Sequence, residues 1–182
     1  MQANTVHIDE LIEQCRKQNP NAQFEVYHRY AKAMYNVAMR IIKDEFYAED
    51  VMQESFLKAF QRINQFRNDV TFGAWLKRIV VNQSIDFIKK NNALKFEDNE
   101  ISIYKIEDEI YDSESDYDTL KANEILQTIQ KLKTNYSTIL TLIFIEGYDN
   151  EEVCEILNIS YANCRTLLSR AKESLRTELA KK

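Results

Sequence analysis

The chain has 182 residues, of which 45% are hydrophobic, and it contains only 2 Gly and 1 Pro. Because β-sandwiches and α/β barrels need many chain-breaking residues at their turns, this composition argues against both. Leu, Ile, Ala, Lys, Glu and Gln fill long uninterrupted stretches, which predicts helices joined by short turns. We therefore expect an all-α fold, in one domain or two small ones.

The net charge of -5 hides a strong asymmetry along the chain. Residues 96–118 hold ten acidic side chains and one lysine, whereas the rest of the chain has a net charge of +4. Such a segment buries too little apolar surface to offset the entropy of ordering it. We interpret residues 96–118 as a flexible acidic linker between two helical domains, residues 1–95 and 119–182.

No feature of the sequence predicts catalysis, a metal or a cofactor. The cysteines, Cys15, Cys154 and Cys164, are odd in number, and no two have the spacing of a zinc knuckle or a redox pair. His7 and His28 are isolated, and 2 glycines cannot form a phosphate-binding loop. The longest apolar run is far too short to cross a bilayer. We expect a reduced, cytoplasmic, non-catalytic protein without membrane insertion.

In the first domain, apolar residues recur at steps of three and four, the period of amphipathic helices. A short helix over Ile8–Cys15 precedes Pro20. The role of this helix is open, since it could make a regulatory contact or simply complete the domain. Asn19 and Pro20 suit the N-cap and the first position of a second helix, which we expect to end near Asp44.

A third helix is predicted from the apolar residues that mark one face between Ala48 and Ile63. Its other face carries a polar patch formed by Asp50, Gln53 and Glu54. Two interpretations of this patch are open. A charged patch on a helix is most often only solvated, and the alternative is a site for a partner protein.

A loop from Asn64 to Val70 follows, and Thr71 can cap a long fourth helix. Aromatic, amide and cationic side chains share one stripe of this helix, a combination that suits an unstacked base. Phe66 and Phe72 could wall a pocket beside the loop residues Arg67 to Val70, or could simply be core. The stripe consists of Trp75, Arg78, Asn82, Asp86 and Lys89.

In the second domain, an apolar helical pattern stops at Gly147, a residue type common just past helix ends. Asp149 and Glu152 form a capping-box pattern, Asn158 turns the chain, and Ser160 can cap the last helix. Two helices joined by a tight turn in this way are typical of a helix-turn-helix motif. The last helix is basic and presents polar groups at its start, which favours DNA binding over a merely solvated face.

Three sequence blocks resemble bacterial group IV sigma factors, the extracytoplasmic-function type within the sigma-70 superfamily. The first is AEDVMQESFLKAF from Ala48 to Phe60, similar to the family's AEDxxQExFxKAx. The second has Phe66, Phe72 and WLKRIVVN from Trp75 to Asn82, similar to FxxxxxFxxWLxRIxxN. The third comprises EGY from Glu146 to Tyr148, EVCEILNIS from Glu152 to Ser160 and SRAKESLR from Ser169 to Arg176.

The resemblance implies an alternative sigma factor that binds core RNA polymerase, directs it to promoters and helps open the DNA. Asp50, Gln53 and Glu54 would dock on the coiled coil of the β′ clamp. Phe66, Asn82 and the loop from Arg67 to Thr71 would hold the minus-ten element. Trp75 matches the position of a strand-separating aromatic, and the basic Arg78 and Lys89 lie on the same DNA-facing stripe.

For the second domain, the resemblance implies that Arg165, Thr166, Ser169 and Arg170 contact the minus-thirty-five element. The helix near residues 142–145 would lie against the β-flap tip, and the acidic linker would run toward the RNA exit channel. An anti-sigma factor is a common partner in this family, although nothing in the sequence identifies one.

The sequence also departs from the family pattern. Leu167 stands where a basic residue is frequent, and Lys131–Lys133 lacks the usual Leu-Pro. Cys154 and Cys164 replace a small apolar residue and Val, so we interpret both as core residues and not as redox sensors. Two alternatives to a sigma factor are a stand-alone helix-turn-helix regulator and an all-helical adaptor without a DNA role.

Overall fold

The computed structural model describes residues 7–92 and 116–181, so nearly all of the acidic segment 96–118 lies outside the described residues. The described residues form helices and no strand, which confirms the all-α prediction. The chain divides into two compact helical units, Met1–Ile88 and Lys89–Lys182. The α-helices of the described residues are α1 (Ile8–Arg16), α2 (Pro20–Ile42), α3 (Glu45–Gln61), α4 (Phe72–Asn92), α5 (Asp116–Lys131), α6 (Thr134–Leu140), α7 (Asn150–Leu157) and α8 (Tyr161–Ala180).

The boundaries of α2 and α3 follow from local chemistry. The side chain of Asn19 accepts hydrogen bonds from the backbone N–H groups of Asn21 and Ala22, so α2 begins at Pro20 as predicted. Lys43 ends α2 because it adopts the left-handed conformation, with φ of 63°. The next residue, Asp44, accepts from the N–H of Tyr47 and so starts α3 earlier than the apolar pattern indicated.

The first unit is built around α2, which packs against α1 and α3. Helix α1 buries Leu11, Ile12 and Cys15, which agrees with one of its two open interpretations, a helix that completes the domain. The burial of each large aliphatic side chain stabilises the folded state by roughly 1.5–3 kcal/mol. The buried residues of α2, α3 and α4 include Val26, Val37, Ile41, Met52, Phe56, Leu76, Val80 and Val81.

The connection between α3 and α4 is tighter than the loop predicted for Asn64 to Val70. A 3₁₀ turn over Ile63–Gln65 buries Ile63 and occupies the first part of that segment. The remaining loop ends at Thr71, whose Oγ1 accepts a hydrogen bond from the N–H of Ala74 at 3.2 Å. Thr71 therefore caps α4 as predicted, and only the residues between Phe66 and Thr71 are free of helix.

The second unit contains helices α5 to α8, which differ from the prediction in two places. Helix α5 begins at Asp116, so residues 116–118 are helical and do not belong to the linker. Helix α6 continues as a π turn over Thr141–Ile145, where the N–H of Glu146 donates to the carbonyl of Thr141 at 2.9 Å. Helical periodicity alone does not distinguish a π turn from an α-helix.

The predicted helix-turn-helix is formed by α7 and α8. Asp149 and Glu152 make the complete capping box, with hydrogen bonds of 2.8 and 2.9 Å between each side chain and the other's N–H. Asn158 adopts a left-handed conformation with φ of 56°, and Ser160 accepts from the N–H of Asn163 at the start of α8. The capping box, the left-handed residue and the N-cap were all predicted from the sequence, and together they fix the turn between the helices.

Candidate nucleic-acid interface

The polar patch of α3 lies on a fully solvated face. Asp50, Gln53 and Glu54 are exposed, whereas the neighbouring Val51 and Ser55 are buried. The hydroxyl of Ser55 donates to the carbonyl of Val51, so the buried side of the helix has no unpaired polar group at this point. The packing of α3 therefore does not depend on the patch, and the three side chains of the patch are accessible to a partner.

Sequence reasoning missed an apolar extension of this face. Leu57 lies seven residues after Asp50 on the same side of α3, and its side chain is 63% exposed. Across a shallow groove, Phe24 at the start of α2 is 69% exposed, and Gln53 lines the same groove. A helical wheel extended to Leu57 would have found the first of these residues, but Phe24 comes from another helix.

Four aromatic rings form a cluster at the start of α4. The Phe66 ring centroid lies 5.5 Å from that of Phe72 and 5.4 Å from that of Trp75, and Tyr30 contacts Phe72 from α2. Phe66 and Phe72 are only 3% and 4% exposed. They are therefore core residues, and the pocket-wall interpretation is not supported.

The contact of Phe66 with the minus-ten element stays a prediction. In this structure its ring is enclosed by Phe72 and Trp75, and the loop that follows it is the exposed part. Trp75 is half-buried and covers one side of the cluster, which leaves part of its ring available to solvent.

The loop after Phe66 is exposed throughout. Arg67, Asn68, Asp69 and Val70 are all solvated, and Asn68 takes a left-handed conformation with φ of 61°. Asn is among the few non-glycine residues that tolerate this conformation. The loop thus presents cationic, amide and apolar side chains next to each other, a combination suited to an extruded nucleotide.

The predicted stripe of α4 runs along one side of the helix. Trp75 and Arg78 are half-buried, and Asn82, Asp86 and Lys89 are exposed. Their spacing of three and four residues keeps the side chains on one face. One face of α4 thus carries an aromatic ring, an amide, a carboxylate and cationic groups, and its role in DNA binding stays a prediction.

Helix α8 has two distinct faces. Cys164 and Ala171 are buried against the other helices of the unit. On the opposite side, four exposed residues present guanidinium and hydroxyl groups. The hydroxyl of Thr166 donates to the carbonyl of Ala162 at 3.0 Å, so only its acceptor capacity and its methyl group remain for DNA. The exposed residues are Arg165, Thr166, Ser169 and Arg170.

Other cations of α8 have partners within the helix bundle. Arg176 pairs with Glu173 at 3.4 Å, and Lys181 pairs with Glu178 at 2.7 Å. The ammonium of Lys172 lies 5.2 Å from the centre of the Phe144 ring, a cation–π distance. The positive charge that can face a phosphate backbone is thus concentrated in the first half of α8, where Arg165 and Arg170 lie.

Of the two cysteines predicted to lie in the core of the helix-turn-helix, Cys164 is buried and Cys154 is half-buried. Cys164 is buried, and its Sγ lies 3.9 Å from the carbonyl oxygen of Asn150. Burial, and then a hydrogen bond and charge repulsion from Cys154, raise the pKa of the Cys164 thiol. A raised pKa lowers the thiolate fraction and hence the reactivity.

Within residues 7–92 and 116–181, no group of three His, Cys, Asp or Glu residues could hold a metal ion. No helix in that part of the chain is long and apolar enough to cross a membrane.

Each of the two units matches a different known protein family model. Residues 26–93 match Sigma-70 region 2, and residues 122–175 match Sigma-70, region 4. The first match contains the α3 patch, the loop and the α4 stripe. The second contains the helix-turn-helix.

Similar proteins cover almost the whole chain. The sigma factor SigV of Bacillus subtilis is 30% identical over 147 residues, which is 81% of this chain and 84% of that protein. The ECF sigma factor SigW of the same organism is 29% identical over 180 residues, or 94% and 96% of the two chains. The fold matches the sigma factor RpoE of Bartonella quintana, solved with the anti-sigma factor NepR, at a TM-score of 0.60 and 19% identity, covering 86% of this chain and 95% of that one. The chain belongs to the extracytoplasmic-function, group IV sigma factors of the sigma-70 superfamily, the subunits that bind core RNA polymerase and direct it to promoters.

Proposed function

We propose that the three exposed faces divide the work of promoter recognition among them. The α3 patch of Asp50, Gln53 and Glu54 docks on the coiled coil of the β′ clamp. The loop after Phe66 and the α4 stripe hold the non-template strand of the minus-ten element. The exposed face of α8 binds the minus-thirty-five element, and the region near Phe144 meets the β-flap.

One observation carries this proposal: the contact residues of α3 and α8 lie on solvated helix faces whose opposite faces are buried, and the loop after Phe66 is exposed throughout. Removing Asp50 or Arg165 therefore costs the fold little, so these side chains are free to serve binding. The protein acts as a non-catalytic initiation factor in the cytoplasm, where the polymerase and the promoter are. Because each unit alone offers few contacts, useful affinity arises when both are held on one polymerase.

An anti-sigma factor is a further partner consistent with the fold. The solved structures of similar fold include CnrH with the cytosolic domain of CnrY, at 23% identity and a TM-score of 0.56, covering 96% of this chain and 99% of that one. An anti-sigma factor bound to this chain, as NepR is bound to RpoE, would regulate access to the surfaces that the polymerase needs.

The minus-ten role is tested with an Asn82→Ala variant of the holoenzyme. We expect normal binding to core polymerase but about tenfold fewer open complexes, because an amide that hydrogen-bonds a base edge is worth about 1–3 kcal/mol. The matched control is Asn21→Ala, which removes an exposed amide from the first turn of α2. Normal promoter opening by Asn82→Ala would contradict the proposal.

A further inference from the structure

Helix α1 is linked to the DNA-binding loop through one side chain. Arg16, the last residue of α1, donates a hydrogen bond from Nη2 to the backbone carbonyl oxygen of Phe66 at 2.8 Å. The two residues are 50 positions apart in the chain. The helix itself packs on α2 and on the 3₁₀ turn that leads into the loop.

The Arg16 side chain is held in place from several sides. It is 29% exposed, and its Nη1 pairs with the carboxylate of Glu13, one turn earlier in α1. Its Nε is buried and has no hydrogen-bond partner. The guanidinium is thus fixed between α1 and Phe66, and a residue without its fork of donors could not make both contacts.

Phe66 is the residue at which the chain leaves the 3₁₀ turn and enters the loop. Its N–H donates to the carbonyl of Ile63, and its ring is enclosed by Phe72 and Trp75. At the far end of the loop, the carbonyl of Thr71 accepts from the N–H of Trp75 at 3.0 Å. Only residues 67–70 lie between these two anchors.

We infer that Arg16 is a positioning residue that fixes the first end of the minus-ten loop, so that α1 takes part in promoter opening without touching DNA. This inference rests on the proposed role of the loop. Four residues between two fixed ends have few conformations, and a ligand that needs one of them binds more tightly when the loop is already ordered. Without Arg16, the carbonyl of Phe66 is released, and the loop loses one of its anchors.

The test compares Arg16→Ala with Lys17→Ala in the full chain bound to core polymerase. Both changes remove one positive charge at neighbouring positions, but Lys17 is exposed and its side chain does not reach the loop. The probe is a promoter from which the wild-type holoenzyme initiates, with 2-aminopurine in the non-template strand of its minus-ten element.

We expect Arg16→Ala to form open complexes with about tenfold lower affinity, the typical loss for a charge-assisted hydrogen bond. Core binding and the salt dependence of promoter binding should stay unchanged, since Arg16 contacts a carbonyl and not a phosphate. Lys17→Ala should behave as the wild type. The inference is overturned if Arg16→Ala opens promoters normally, or if Lys17→Ala is equally impaired.

A second measurement reports the anchor without DNA. Trp75 is the single tryptophan of the chain and lies against Phe66, so its fluorescence monitors that ring. Arg16→Ala should shift the emission to longer wavelength as the cluster loosens, and Arg16→Lys, which keeps one donor, should restore part of it. Identical emission in the wild type and both variants would refute the positioning role of Arg16, even if Arg16→Ala were less stable.

The failure of this inference can be told apart from failure of the proposed function. If Asn82→Ala opens promoters normally, the loop and stripe do not hold the strand, and the proposed function is wrong. If Asn82→Ala is defective and Arg16→Ala is not, only the role of Arg16 is wrong.

Discussion

Changing Arg165 and Arg170 together to Ala should reduce the salt dependence of promoter binding. Both guanidinium groups are exposed on α8, whereas Arg176 is paired with Glu173. Each phosphate contact contributes about 0.9 to the slope of log affinity against log salt, so loss of two contacts should lower its magnitude by about 1.8. Between 50 and 200 mM salt, the wild type should then lose about twelvefold more affinity than the double variant.

The assay is fluorescence anisotropy of labelled promoter DNA with holoenzyme over a series of potassium chloride concentrations. Arg176→Ala is the matched control, since it removes the same charge from the same helix but from an existing ion pair. The control should leave the slope nearly unchanged. A double variant with the wild-type slope, or a control with an equal decrease, would refute the assignment of the DNA-binding face of α8.

Three further predictions concern the stability of the units. Asp149→Ala removes the acceptor for the N–H of Glu152 and should cost about 1 kcal/mol, or about 4–8 °C in the melting temperature of the second unit. The control is Glu151→Ala, which removes a carboxylate from the same first turn but leaves the cap in place, and it should lower the melting temperature less in circular dichroism. Phe66→Ala should lower the free energy of unfolding of the first unit by about 3–5 kcal/mol in urea, because the ring lies in the core. A variant as stable as the wild type would contradict this core position. Burial lowers the pKa of Lys43 to about 8, so the folded state carries a cost for the charged amine that disappears above this pH. The free energy of unfolding of the wild type, measured by urea unfolding relative to Lys43→Met at each pH, should therefore rise from pH 8 to 10. The comparison with Lys43→Met cancels the opposing effect of Cys15, whose thiol pKa is raised by burial.

The pH window of the last prediction ends near 10 for a physical reason. Burial raises the pKa of Tyr30 and of Tyr35, so the folded state favours their neutral forms. Their stabilising contribution is lost as they ionise above pH 10, which opposes the effect of Lys43.

Features that depend on neighbouring residues in the chain could be predicted from the sequence. The caps at Asn19, Thr71 and Ser160 and the capping box at Asp149 each join groups two or three residues apart. Such contacts are encoded by residue type and spacing alone. The helix-turn-helix was predictable for this reason.

Features that depend on distant residues were not predictable. Whether Phe66 and Phe72 wall a pocket or lie in the core is decided by their packing partners: Trp75 of α4 lies against Phe66, and Tyr30 of α2 lies against Phe72. The hydrogen bond from Arg16 to Phe66 spans 50 residues and leaves no trace in the local pattern. Periodicity showed that α1 is amphipathic, but it could not show what lies at the end of that helix.

The docking role of α3 is the central claim, and size-exclusion co-elution with core RNA polymerase tests it most directly. The variant changes Asp50, Gln53 and Glu54 to Ala. The control changes Asp9, Glu10 and Gln14 to Ala, which removes the same two charges and one amide from exposed positions of α1. We predict that the wild type and the control co-elute with core polymerase and that the patch variant does not. Co-elution of the folded patch variant at wild-type affinity would contradict the account.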